Sequence, residues 1–182
     1  MRIIGGRFRS RKLKSVPGLA VRPTPDRLRQ ALFNVLAPRI AGSAFLDAYA
    51  GSGAVGIEAL SRGASRVILI ERNAHALAVI QQNLQSLGIE REATLVRGSA
   101  GALLRNYRPD IAFLDPPYEE TKEYAKVLLV LAEIGCPVGI AQHASRAVLE
   151  NAYGTMKRTR VLKQGDNSLS FYEQDPKPLP AE

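Results

Sequence analysis

The chain has 182 residues (19.8 kDa), 46% of them apolar, and a formal net charge of +8, which suits one sizeable core with an appendage rather than two full domains. No apolar run approaches a membrane span and the N-terminus is polar and basic rather than signal-like, so a cytoplasmic protein without a membrane partner is expected. Cys136 is the lone cysteine, which excludes an internal disulfide, and His75 and His143 are too far apart in sequence for metal-site spacing, so no metal is expected.

The charge is concentrated at the beginning of the chain. Residues 1–29 hold nine Lys or Arg against a single acid, Asp26, and the remaining sixteen bases and sixteen acids cancel. Arg7, Arg9, Arg11, Lys12 and Arg22 interleave with Ile3, Ile4, Phe8, Leu13 and Val21, a pattern of short strands with one packed face and one phosphate-binding face. Gly5-Gly6 and Pro17-Gly18 mark turns, so residues 1–23 read as a small basic β appendage. A helix follows, with Thr24 as its cap, Pro25 at the first helical position, and Leu28, Ala31, Leu32, Val35 and Leu36 on one face; Pro38 and Gly42 close it.

From there to about residue 150, strand and helix signals alternate. The strands are expected at 44–48, 66–71, 93–97, 110–114 and 137–142, with helical stretches around 55–61, 74–86 and 120–133. This βαβ order predicts a Rossmann-like, doubly wound, mostly parallel sheet, and Val67-Ile68-Leu69-Ile70 suits a strand buried on both faces. Segments near 154–162 and 168–173 have no helix between them and should pair as an antiparallel hairpin at a sheet edge, giving a seven-stranded sheet in a domain spanning 24–174. Residues 175–182 are proline-rich and expected to be disordered.

Two motifs carry chemistry. Asp47-Ala48-Tyr49-Ala50-Gly51-Ser52-Gly53 follows the first sheet strand and opens a helix, and Glu71 ends the next strand twenty residues beyond Gly51. Gly51, Gly53 and Gly56 also satisfy the dinucleotide fingerprint, with Glu71 where a ribose hydroxyl would bind, so a nicotinamide cofactor is a competing reading. Asp47 argues against it, because a carboxylate beside a pyrophosphate is unfavourable in a cleft of reduced dielectric. S-adenosylmethionine has a sulfonium, an α-amino group, a ribose and no phosphate, and fits better. The second motif is Asp115-Pro116-Pro117-Tyr118, at the end of an apolar run. Two prolines without N–H groups cannot extend a ladder, so Asp115 and a backbone carbonyl form an acceptor array for an exocyclic amine, while Tyr118 offers a stacking face.

Together these residues resemble the Rossmann-like amino-methyltransferases. More narrowly, Arg2-Ile3-Ile4-Gly5-Gly6, Arg11-Lys12-Leu13, Arg22-Pro23-Thr24-Pro25-Asp26-Arg27 running into Leu32-Phe33-Asn34, and Ala50-Gly51-Ser52-Gly53 followed by Glu58-Ala59-Leu60-Ser61-Arg62-Gly63-Ala64 are similar to the RsmD family of 16S rRNA guanine-N2 methyltransferases, over residues 2 to about 173. The resemblance implies a donor pocket of Thr24, Asp47, Ala48, Gly51, Gly53, Glu71, Arg72, Ser99 and Ala100, and a catalytic turn of Asp115, Pro116, Pro117 and Tyr118. It implies a monomer that acts on ribosomal RNA or a small-subunit assembly particle and grips it with the basic arm. Two positions depart from the pattern. Arg97-Gly98-Ser99 leaves Ser99 or its backbone to meet the adenine amine, and Gln142-His143 stands where an acid commonly precedes the histidine.

Three other functions compete: methylation of a different exocyclic amine such as adenine N6, an oxidoreductase, and a non-catalytic RNA-binding module. Cys136 reads as a buried structural thiol, His75 and His143 as surface or packing residues, and Tyr49 as pocket-lining.

Overall fold

A computed structural model of the chain describes residues 1–16, 24–117 and 121–175. The Pro17-Gly18 turn, Val21, Arg22, Tyr118 and the expected tail from residue 176 onward lie outside the described residues. The elements are α1 (Asp26–Ile40), β1 (Ala44–Asp47), α2 (Ala54–Ser61), β2 (Arg66–Glu71), α3 (Ala74–Leu87), β3 (Ala93–Arg97), α4 (Ala100–Leu103), β4 (Ile111–Leu114), α5 (Thr121–Ile134), β5 (Val138–Ala144), β6 (Ala152–Tyr153), β7 (Met156–Gln164) and β8 (Asn167–Gln174). They build one sheet in the order β3-β2-β1-β4-β5-β8-β7-β6. β1 to β5 run parallel and the last three strands antiparallel. The sheet has eight strands rather than the expected seven: Ala152 and Tyr153 pair with Lys157 and Met156 around Gly154 at φ +59°, and two residues are too few to leave a periodic signal.

The central strands are apolar because both faces are covered. All four residues of β1 and of β4 are buried, as are Val67 to Ile70 of β2. Phe45, Leu69, Phe113 and Ile140 face α1, α2 and α3, while Leu46, Ile68, Leu114 and Ala141 face α5. Counting on by two from Phe45 and Phe113 puts Asp47 and Asp115 on the α1–α2 side. The chain reverses direction across the sheet between β1 and β4, which leaves a crevice at their carboxyl ends.

Local rules explain most boundaries. Asn73 caps α3, its Oδ1 accepting from the His75 and Ala76 N–H groups at 2.9 and 3.1 Å, and Gly88 ends that helix at φ +69°. Two expectations for α1 fail. Thr24 does not cap it; Pro25 holds the cap position without a side-chain hydrogen bond. Nor does Pro38 end it. The helix continues to Ile40, since Pro38 is exposed, the carbonyl it leaves unpaired can meet water, and Ile40 is drawn into the core. The short α4 was also not anticipated, being only four residues long.

Over its described residues, 1–16, the N-terminal arm is not a pair of strands. A single antiparallel bridge joins Arg2 to Lys12, and the residues between them form turns. Its stability comes from packing: Ile3 and Leu13 are buried in the same core as α1 and α2. Backbone contacts with α2 replace the missing ladder. Glu58, fully buried on α2, accepts from the Ile4 and Gly5 N–H groups at 2.8 Å each and from Arg62 Nε at 2.7 Å, and the Arg29 guanidinium lies 4.0 Å away. Gly6 at φ +75° admits no side chain, since a Cβ would fall 1.8 Å from the Ser61 carbonyl oxygen.

None of the helices among the described residues is long and apolar enough to cross a membrane. Replacing Glu58 with alanine should cost about 3–5 kcal/mol in urea denaturation, because Arg29 and two arm N–H groups lose a buried partner together. The same variant should expose the arm to protease under native conditions.

Candidate active site

The glycine loop is shaped by backbone needs that only glycine meets at two points. Gly53 enters α2 at φ +79°, and a Cβ on Gly56 would lie 2.4 Å from Leu69 Cδ2, so Gly56 is what lets α2 lie against β2. Its N–H donates to Asp47 Oδ2 at 3.2 Å. Gly51 N–H donates to Glu71 Oε2 at 2.8 Å, and Asn73 N–H to the other oxygen, Oε1, at 2.8 Å. Glu71 thus fixes the loop across the top of β1 and β2 while keeping acceptor capacity on both oxygens.

Asp47 is 1% exposed, and its Oδ1 has no hydrogen-bond partner. Burial pushes its carboxyl up to about 7, and the Glu71 charge adds to the rise, although N–H groups of Gly56 and Tyr49 oppose it. Just past β4, Asp115 is likewise pushed up to about 8, by burial first and then by Asp47. Its Oδ2 accepts from Gln142 Nε2 at 3.0 Å. The site therefore holds two carboxyl groups short of compensating positive charge and two orphaned buried acceptors, Asp47 Oδ1 and Gln142 Oε1. That chemistry fits a ligand bearing positive charge and N–H donors and opposes a pyrophosphate.

The remaining expected residues take varied places. Ala48 is buried, its N–H donating to the Phe113 carbonyl at 2.9 Å, which stitches the loop to β4. Arg72 is exposed just past β2, Ser99 is exposed at the start of α4, and Ala100 is buried beneath it. Thr24 is partly buried before α1. Pro116 is buried and Pro117 exposed, with Tyr118 beyond the described residues. Tyr49 spans from the loop to α5, its hydroxyl donating to Glu123 Oε2 at 3.0 Å. His143 is a packing residue, 4% exposed, with Nε2 2.9 Å from Ser170 Oγ; His75 is exposed. Cys136 is buried, its thiol pushed up to about 12 chiefly by burial.

Among the arm cations, Arg7 pairs with Glu92 and Arg11 donates to the Ser86 carbonyl at 3.0 Å, so both brace the arm on the domain. Arg9 and Lys12 are exposed with no described partner for either side chain. Two residues outside the motifs organise the site. Asn83 of α3, 1% exposed, exchanges hydrogen bonds with the Lys14 backbone and donates to the Ser52 carbonyl at 3.0 Å, joining arm to glycine loop. Gln142 holds Asp115. Asn83 belongs to no motif, and Gln142 is marked in the sequence only as a departure from the family pattern before His143.

A parallel sheet with its strand order reversing beside an acidic glycine loop, closed by an antiparallel β8, is the Rossmann-like architecture of methyltransferases. Solved structures agree. The Escherichia coli protein yhhF, named provisionally as a methyltransferase, superposes with a TM-score of 0.82 at 33% identity over 96% of this chain and 98% of that one. The Thermus thermophilus protein TTHA0928 does so at 0.78 and 30% identity, over 95% and 99%. A family model described as Conserved hypothetical protein 95 matches residues 1–173, and the chain belongs to this family, the RsmD family that its arm and loop motifs resemble. Among its relatives, Bacillus subtilis YlbH is 35% identical over 96% of this chain and 99% of its own length. The ribosomal RNA small subunit methyltransferase D of Escherichia coli K12 is 41% identical over 65% of this chain, a match spanning 60% of that enzyme.

Both raised carboxyl groups lie far above the ordinary 3.8, so the stability they contribute is complete below about 4 and is lost as pH rises through 7 and 8. Ligand-free protein should therefore unfold at lower temperature at pH 8.5 than at pH 5.5. The difference should shrink in a doubly substituted Asp47→Asn, Asp115→Asn variant, as read by differential scanning calorimetry.

Proposed function

We propose that this protein transfers a methyl group from S-adenosylmethionine to the exocyclic N2 amine of a guanine in 16S rRNA, in RNA or a small-subunit assembly particle. The observation that carries the reading is the juxtaposition of two uncompensated carboxyl groups, Asp47 buried and Asp115 partly buried, at the β1–β4 crevice. It is supported by the relatives named as small-subunit rRNA methyltransferases and by a basic arm packed against the loop that borders the crevice.

Asp47, with its orphaned Oδ1, is the residue for the donor's cationic end, and Glu71 for its ribose hydroxyls. Ala48, Gly51 and Gly53 shape the floor, Arg72, Ser99 and Ala100 border the adenine end, and Thr24 the methionyl end. When bound, the donor supplies an electrophilic methyl group on a sulfonium. Asp115 and the Pro116 carbonyl accept the hydrogens of the attacking amine, drawing its nitrogen toward tetrahedral geometry and freeing a lone pair otherwise delocalised into the ring. Pro117 keeps the turn rigid, and Tyr118 is assigned to stack on the extruded base. Arg9 and Lys12, exposed with no described partner, and Arg7 and Arg11 supply cations of the RNA grip, to which Arg22 is also assigned.

Mass mapping of rRNA nucleosides tests the proposal. A strain lacking the protein should lose one N2-methylguanosine from 16S rRNA, restored by the wild-type chain and not by Asp115→Ala, whose RNA affinity should stay within about threefold because the base turn supplies few of the phosphate contacts. An unchanged nucleoside inventory, or restoration by Asp115→Ala, would overturn it.

A further inference from the structure

We propose that Gln142 is the positioning residue of the reaction: its buried side-chain amide holds one oxygen of Asp115, leaving the other as the acceptor for the substrate amine. This inference rests on the methyltransferase reading of the crevice.

Gln142 follows the last paired row of the parallel ladder, Leu114 with Ala141, and so lies beside Asp115 on the neighbouring strand. It shares a sheet face with Ile140, whereas His143 turns to the other face and meets Ser170. The residue is 2% exposed, so its amide contacts Asp115 from behind and does not meet a substrate. Nε2 donates to Asp115 Oδ2 at 3.0 Å. The backbone that carries the amide is clamped twice, by the Tyr124 hydroxyl donating to the Gln142 carbonyl at 2.8 Å and by antiparallel pairing with Leu169. A side chain with so little freedom fixes the direction of the carboxylate it holds.

A cost borne elsewhere in the residue points the same way. Gln142 Oε1 is buried without a partner, which an apolar side chain of equal size would avoid. Packing alone therefore disfavours glutamine at this position, and the contact with Asp115 is what offsets it. The choice of a neutral donor also suits the local charge. Among the described residues, the ionisable groups around Asp115 and the Gln142 that holds it are Asp47 on β1, with Glu71 behind it on β2, Tyr124 on α5 and His143 on β5. A lysine or arginine here would compete with the donor's positive charge for the carboxylates. An amide donates a hydrogen bond to the ionised form of Asp115 and adds no charge.

The test uses the full-length protein, S-adenosylmethionine and small-subunit rRNA particles from a strain lacking the gene. Gln142→Met, matched in length and apolar, should lower kcat by about ten- to a hundredfold, the worth of a hydrogen bond to a charged group, while donor Kd and particle KM stay within about threefold. The acid limb of its kcat profile should move to higher pH, because Asp115 loses a donor that favours its anion. Gln142→Leu provides a second variant that lacks the donor, with a loss of the same size expected. Either variant, binding the donor normally and turning over at the wild-type rate with an unmoved pH profile, would overturn the assignment. The parent reading fails separately: if Asp115→Ala keeps wild-type kcat, the crevice is not the site of methyl transfer at all.

Discussion

Two carboxyl groups, one buried and one partly so, at the reversal point of the sheet are the constraint around which the molecule is arranged. Asp47 and Asp115 end adjacent parallel strands and point to the same face, so each raises the cost of ionising the other. Nothing in the described structure offsets them with a cation. A hydrogen-bonded frame holds them instead: Gly56 behind Asp47, Gln142 behind Asp115, and Glu71 binding the intervening loop through Gly51. Such a frame stores unfavourable electrostatics until a positively charged ligand arrives, a common arrangement at functional sites.

The arm joins this frame through the helices rather than through the sheet. Glu58 on α2 fastens residues 4 and 5, and Asn83 on α3 fastens residue 14 and also Ser52 in the glycine loop. Most of the polar contacts that hold the arm to the domain pass through the two helices that flank the donor loop, with Arg29 of α1 and Glu92 adding to them. A nucleic acid gripping Arg9 or Lys12 would be held by a segment anchored directly beside the chemistry, without an intervening flexible hinge.

Much of this was legible in the sequence where periodicity is long or chemistry is rigid. The strands at 66–71 and 93–97 and the capped helix beginning at Ala74 appear where their patterns place them, because each rule acts locally. The glycine loop and the Asp115 turn could be read because glycine and proline restrict the backbone directly. What escaped was tertiary. Thr24 looks like a cap, but the cap position falls on Pro25; Pro38 looks like a stop, but its exposure lets the helix continue. The arm reads as strands because its apolar residues alternate with cations, yet only one bridge forms and Glu58, more than fifty residues away, replaces the ladder. Asn83 carries no motif, and Gln142 stands out in the sequence only as a departure from a family pattern; their roles exist only once distant strands and helices are neighbours.

Proton release on donor binding tests the central claim most directly. If a cation settles beside Asp47 and Asp115, both should be driven toward the ionised form, and titration calorimetry of S-adenosylmethionine at pH 7 in buffers of different ionisation enthalpy should show net protons leaving the protein, a release that Asp47→Asn diminishes. Binding without proton release, or release unaffected by that substitution, would mean that the donor lies elsewhere.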